Sequence, residues 1–338
     1  MRVRWCLPAG LCVALCFAAL AVCALAVSAP GVASLARAAA GPGAGAGGAC
    51  ARAPLSGGRT VSLEVGGRLR SALVHVPAGL AAGRRVPLVL VLHGYRGSGP
   101  RMERYSGFSA LADKYGFVVA YPSSAGSFWN SLAKRRLPDD LRFLSGLISG
   151  LGRDLCVDPL RVYAAGVSNG GGMAALAACR LSDRIDALAS VAGGYDGQPP
   201  CRPRRPVSVL EIHGTADPVV PYFGLGGRPT RDGLPPFVEG WRARDRCQGP
   251  PLVRRLAVRT SDLRWTRCAS GVAVEHIRIA GGRHQWPGAQ PPDPGPPATI
   301  CASCVIWRFF SALPAGPADF DALSSGPGIA DGVAVAGA

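Results

Sequence analysis

The chain has 338 residues, 48% of them hydrophobic and 17% charged, with 37 Lys and Arg against 21 Asp and Glu for a formal charge of +16. That composition marks a globular protein with a sizeable core, built as one large domain or two small ones. The charge excess is almost entirely arginine scattered along the chain, with no basic run interleaved with aromatics, so it gives no support for nucleic-acid binding and reads as a solvated basic surface.

In chain order, MRVRWCLPAGLCVALCFAALAVCALAVSA sets two early arginines before an uncharged apolar run reaching Ala36. Residues 1–38 therefore read as an export signal peptide, with an uncleaved signal anchor, and so membrane attachment, as the alternative. Residues 39–54 form a flexible Gly/Ala linker, 55–313 one folded domain, and 314–338 a small-residue tail expected to be disordered. Within the domain, TVSLEV and RSALVHV predict edge strands, and PLVLVLHG and GFVVAYP predict fully buried ones. DDLRFLSGLISGLGRDL has helical spacing; RVYAAGVS predicts a strand, GGMAALAACRL a helix, and ALASVAGG, VSVLEIHG and VEHIRI further strands. Buried strands alternating with helices predict an α/β fold with a mostly parallel central sheet and helices on both faces.

Four of the twelve cysteines fall in the first 38 residues, leaving Cys50, Cys156, Cys179, Cys201, Cys247, Cys268, Cys301 and Cys304. An even number in an exported chain favours disulfides. Cys179 with Cys201 and Cys247 with Cys268 each enclose a short segment beside a strand; Cys50 with Cys156 and Cys301 with Cys304 follow by elimination. Zinc at Cys301-Ala-Ser-Cys304 lacks a second pair of ligands, and no metal is expected.

The chemistry centres on VYAAGVSNGGGMA, where Ser168 stands in Gly166-Val167-Ser168-Asn169-Gly170 at the turn from a buried strand into a helix. Small residues on both sides let the backbone turn tightly and project the hydroxyl, and the helix N-terminus favours developing negative charge. A hydroxyl needs a base, and the base needs a partner that fixes its tautomer. Of five histidines, only His284, in GGRHQWPG, follows the serine on a glycine-flanked loop after the last strand. Asp217, in VLEIHGTADPVVPY, ends a strand between the two, giving the order serine, acid, histidine that α/β-hydrolases use. The loop His93-Gly94-Tyr95-Arg96-Gly97 follows the first buried strand, so the backbone N–H groups of Tyr95 and Asn169 are the expected oxyanion donors. His93 precedes the serine and reads as structural. Asp139 and Asp140 open a helix, where carboxylates favour the positive end.

Together, PLVLVLHGYRGSG, YGFVVAYPSS with Trp129-Asn130, Asp139-Asp140, VDPLRVYAAGVSNGG, VLEIHGTADPVVPY and GGRHQWPG stand in the order and spacing of the polyhydroxybutyrate depolymerase and feruloyl esterase family, which residues 59–312 resemble. The resemblance implies an α/β-hydrolase fold with Ser168 as nucleophile, Asp217 as acid and His284 as base, coinciding with the residue-level reading. It also implies that Trp129 and Trp286 lie near the substrate. Two positions depart from the family: Tyr95 stands where relatives often carry Cys, and Gly172 adds a glycine that would loosen the helix start.

The expectation is an exported serine esterase that hydrolyses hydroxyalkanoate oligomers or polyester, feruloyl esters or short-chain esters through an acyl-enzyme, with no cofactor. The tail after Leu313 is too short for a module that adsorbs to solid polymer, which favours soluble esters. An α/β-hydrolase peptidase and a noncatalytic binding protein of the same fold are the alternatives.

Overall fold

The structure, a computed structural model, describes residues 4–6, 56–80, 83–132, 138–227, 234–293 and 297–314. The expected export segment apart from Arg4–Cys6, the linker, Cys50 and the tail beyond Pro314 lie outside the described residues.

The strands are β1 (Arg4–Cys6), β2 (Gly57–Val65), β3 (Arg68–Val76), β4 (Val86–Leu92), β5 (Val118–Pro122), β6 (Val157–Val167), β7 (Ala187–Val191), β8 (Ser208–Gly214), β9 (Leu252–Ala257), β10 (Thr260–Trp265) and β11 (Val274–Ile279). They form one sheet in the order β1-β2-β3-β5-β4-β6-β7-β8-β11-β10-β9. From β5 across to β11 every pairing is parallel, and antiparallel strands extend both edges. This is the α/β-hydrolase architecture that the alternation of apolar strands and helical segments predicts.

Strand β4 shows why the centre reads as an uninterrupted apolar run, since all seven of its residues are buried. Leu88, Leu90 and Leu92 point into one core while Val89 and Val91 point into the other, because successive side chains leave opposite faces of a strand. Burying each such side chain contributes about 1.5–3 kcal/mol. One face is covered by α3 (Pro138–Asp154), α4 (Asn169–Arg180) and α5 (Pro236–Arg244), through residues such as Phe143, Leu147, Met173 and Trp241. The other is covered by α1 (Gly99–Ser106), α2 (Phe108–Tyr115) and α6 (Ala302–Ser311), through Met102, Phe108, Ile306 and Phe310.

Asp140 does more than favour the start of α3. Its Oδ1 accepts a 2.7 Å hydrogen bond from the Arg70 guanidinium, both side chains being buried, and its Oδ2 accepts from the Asn130 N–H at 2.8 Å. The carboxylate thus fastens β3 and the segment after β5 to the helix. Disulfides join Cys179 to Cys201 and Cys247 to Cys268, the pairs that enclose short segments beside strands, and Cys301 to Cys304, the pair expected by elimination. Cys156 is also disulfide-bonded. Among the described residues no helix is long and apolar enough to cross a membrane.

Candidate active site

Four segments leave the carboxyl ends of parallel strands on the same edge of the sheet. His93-Gly94-Tyr95 follows β4, Ser168 follows β6, Asp217 follows β8 and His284 follows β11. In an open parallel sheet this edge is where ligands are bound.

Ser168 holds φ 56° and ψ −122°, a conformation rare for a residue with a side chain, between the end of β6 and the first residue of α4. The strain is held by its surroundings: the Ser168 N–H donates to the Val191 carbonyl at 2.9 Å, and the Ser168 carbonyl accepts from the N–H groups of Gly172 at 3.0 Å and Gly194 at 3.1 Å. The glycines on either side are steric requirements. A Cβ at Gly166 would strike the Gly170 carbonyl, and one at Gly170 would strike the carbonyl oxygens of Leu92 and His93. Gly172 does not loosen the helix as expected. A Cβ there would strike the Gly194 carbonyl, and the Gly172 carbonyl accepts a 2.6 Å bond from Gln198 Nε2, so this glycine lets the loop after β7 close onto a helix that is fully formed from Asn169.

Asp217 and His284 are brought together. His284 Nδ1 and Asp217 Oδ2 are 2.8 Å apart, an arrangement that holds a proton on Nδ1 and leaves Nε2 to the cavity. Asp217 Oδ1 accepts from the N–H groups of Val219 and Val220, each at 2.8 Å. Burial pushes this carboxyl up, but the hydrogen bonds from His213, His284, Val220 and Val219 outweigh it and hold the group well below the usual carboxylate range.

Behind Asp217 lies a buried network that the sequence reading passed over. His213 Nδ1 is 2.7 Å from Glu211 Oε1, while its Nε2 is 2.9 Å from the Val220 carbonyl and 3.3 Å from Asp217 Oδ2. Both ring nitrogens face acceptors, so both carry protons and the ring is an imidazolium. Burial opposes that charge, but Glu211 first and then Asp217 outweigh it, raising His213 to about 10. Glu211 is fully buried; burial pushes it up, but the charges of His213 and His276 bring it down to about 2. Glu211 Oε2 and His276 Nδ1 stand 2.6 Å apart without the alignment of a good hydrogen bond, so that contact is mainly electrostatic. His276 Nε2 is 2.6 Å from the Tyr222 hydroxyl. The signal available in sequence was the spacing: Glu211 and His213, two apart in a strand, share a face, and β11 pairs His276 directly with Glu211.

His93 is structural. Its Nδ1 donates to the Gly94 carbonyl at 2.7 Å and its Nε2 accepts from the Ser124 N–H at 3.0 Å, so burial holds it neutral, below its ordinary value. It thereby shapes the loop carrying Tyr95, and a Cβ placed on Gly94 would sit 3.5 Å from Ser168 Cβ. Asn169, first in α4, has a backbone N–H in the helical turn where no intrahelical carbonyl is available. Its side chain pairs with the Trp129 backbone, accepting from the N–H at 2.7 Å and donating to the carbonyl at 3.2 Å.

Ser168, His284 and Tyr95 line one cavity of about 530 Å³, with Arg101, Arg104, Tyr105 and Val219 among its other walls. Trp129 and Trp286 do not line it; each is 1% exposed. This corrects the expectation of indoles packed on substrate. Trp129 Nε1 donates to the His93 carbonyl at 2.9 Å, and Trp286 Nε1 to Ser303 Oγ at 3.0 Å. Both rings are large apolar bodies whose one polar atom finds a partner inside the protein, and each supports the segments around the cavity rather than facing it. Among the described residues no group of three or more His, Cys, Asp or Glu side chains could hold a metal ion.

The fold and this edge of the sheet define an α/β-hydrolase. The family model described as Esterase PHB depolymerase matches residues 70–201. The chain is 37% identical over 267 residues to "Putative esterase NocK" of Nocardia uniformis subsp. tsuyamanensis, an alignment covering 70% of this chain and 77% of that protein. The chain belongs to this esterase family. It is also 33% identical over 230 residues to "Feruloyl esterase B" of Piromyces equi, covering 64% of this chain but 42% of that longer protein. Among solved structures, the acetyl xylan esterase from Aspergillus awamori shares the fold with a TM-score of 0.52 at 16% identity, covering 72% of this chain and 94% of that one.

Proposed function

We propose that this esterase is an exported serine hydrolase that cleaves carboxylic esters through an acyl-enzyme. The observation that carries the reading is the presence of Ser168, in its strained turn, and the Asp217-paired His284 in the walls of one cavity. Ser168 Oγ attacks the ester carbonyl as His284 Nε2 takes its proton. The tetrahedral oxyanion is held by the backbone N–H groups of Tyr95 and Asn169. His284 then gives the proton to the leaving alcohol, and water, activated by the same imidazole, releases the acid. Asp217 fixes the tautomer and stabilises the imidazolium that forms in each half-reaction. No step requires a cofactor.

The substrates on this reading are hydroxyalkanoate oligomers or polyester, aryl esters of the feruloyl type, or short-chain esters. The feruloyl esterase name of one relative supports the aryl class. The disulfides among the described residues and the apolar N-terminal sequence support export. The reading is tested by a fluorophosphonate probe and a panel of short-chain, hydroxybutyrate and feruloyl esters. The expected outcome is a single adduct on Ser168 and ester turnover, both lost in Ser168→Ala. Turnover by folded Ser168→Ala at the parental rate would end the serine mechanism.

A further inference from the structure

The cavity that holds Ser168 and His284 is charged in one sense only. Arg101 and Arg104 line it, and no Asp or Glu does. Both arginines are exposed and stand three residues apart on α1, so they project from one side of the helix; Met102, which also lines the cavity, is buried, as is Ser106. Neither guanidinium has a carboxylate partner among the described residues. The polar contact of Arg101 is a long one, 3.5 Å to the Arg96 carbonyl. Acids next to the cavity walls are engaged elsewhere: Glu103 accepts from Ser109 Oγ at 2.9 Å, Asp293 accepts from the Tyr105 hydroxyl at 2.5 Å and the Trp286 N–H at 3.0 Å, and Asp217 is held by His284 and the Val219 and Val220 N–H groups. A cation in the last turn of a helix favours the helix dipole, which accounts for Arg104 but not for Arg101, nor for the meeting of both at the cavity.

We infer that Arg101 and Arg104 form an anion subsite, and that the preferred substrates are esters carrying a free carboxylate away from the scissile bond. Monoesters of dicarboxylic acids and hydroxyacid oligomers with a free acid end have this chemistry. The carboxylate takes no part in bond making or breaking. It is held by the two guanidiniums while the ester carbonyl lies at Ser168, so the effect falls on kcat/KM. This inference rests on the proposed serine esterase reading.

The test compares charged and neutral members of two matched pairs. One pair is the 4-nitrophenyl monoester of adipic acid and its methyl-capped diester, with the charge on the acyl side. The other is 4-butyryloxybenzoic acid and its methyl ester, with the charge on the alcohol side. The readout is the ratio of kcat/KM, charged over neutral, in wild type, R101Q/R104Q and R101K/R104K, each checked for folding by near-ultraviolet circular dichroism. Exposed ion pairs contribute modestly, so the ratio for at least one pair should fall about threefold or more in the Gln variant. It should be retained in the Lys variant, and in wild type should fall between about 20 mM and about 1 M salt. The pair that responds identifies the side of the ester the arginines face. Ratios for both pairs that change less than about threefold in R101Q/R104Q overturn the inference. If that variant does not fold, ratios insensitive to salt in wild type do so. Failure of wild type to hydrolyse any of the four esters would instead overturn the esterase mechanism beneath it.

Discussion

Replacing Glu211 by Gln removes the carboxylate that faces two buried imidazoles while keeping the shape of the side chain and one hydrogen-bond acceptor. Glu211, His213 and His276 are 0%, 3% and 0% exposed, so solvent cannot replace the lost charge. Removing one partner of a buried pair typically costs about 3–5 kcal/mol. Against its burial, His213 is raised from 6.5 to about 10 by Glu211 first, with Asp217 and the Val220 carbonyl adding to it, so Glu211 supplies the largest share of what keeps its proton. Because His213 is raised in the fold, its stabilisation is present in full below about 6.5 and is lost as pH rises through about 10. Because Glu211 is lowered from 4.5 to about 2, its stabilisation is present above about 4.5 and is lost as pH falls toward 2. The stability gap between wild type and Glu211→Gln is therefore widest between about 4.5 and 6.5 and narrows on either side. Urea unfolding followed by tryptophan fluorescence at about pH 6 and about pH 10.5 measures it. The same gap at both values would show that His213 carries no extra proton in the folded protein, and the assignment of the network as an ion pair would fail.

Three further outcomes are expected. Ser168→Ala and His284→Ala should each remove most of the esterase rate, and the double variant should lose little more than either one, as steady-state kinetics will show; additive losses would mean that the two do not act as a unit. Gly170→Ala should destabilise the fold by about 1–3 kcal/mol, because its Cβ meets the carbonyl oxygens of Leu92 and His93, and a thermal midpoint equal to wild type would show that the loop yields freely. Trp286→Phe, which loses the bond to Ser303 and part of a buried ring, should lower stability by about 1–3 kcal/mol while leaving KM for aryl esters unchanged; a large rise in KM would return the indole to the substrate.

What could be read from sequence followed the strength of the local signal. Strands β4, β5 and β7 are buried along their whole length and announced themselves as apolar runs, and the turns after the parallel strands carried the glycines near Ser168, Asp217 and His284. The hairpin of β9 and β10 was not legible, because LVRRLA in β9 is an exposed edge with arginines where a half-buried strand would alternate. Helices α1 and α2 were missed for a different reason. Each has only eight residues, bounded by glycines in left-handed conformation at Gly107 and Gly116, too short for a helical period to emerge. The two tryptophans were misjudged because a resemblance in sequence does not say which way a ring faces. The buried Glu211 was hidden inside VLEIHG, where a lone acid in an apolar strand shows its purpose only once the neighbouring strand supplies His276.

The cavity's two principal walls, α1 with the loop before it and the segment 284–291, come from stretches of chain almost two hundred residues apart, yet they are stitched together. The Trp286 N–H donates to the Tyr105 hydroxyl at 3.1 Å, that hydroxyl donates to Asp293, the Gln290 N–H donates to the Tyr105 carbonyl at 3.1 Å, and Ser303 Oγ bridges the Trp286 indole to the Ser106 carbonyl at 2.6 Å. Neither wall can be redrawn alone without undoing the seam. On the proposed reading the two walls therefore set specificity as one unit. A graft exchanging one wall with a relative would inherit mismatched halves, whereas exchanging both together, with His284 and the Tyr95 position retained, would keep the seam whole around the proposed catalytic residues.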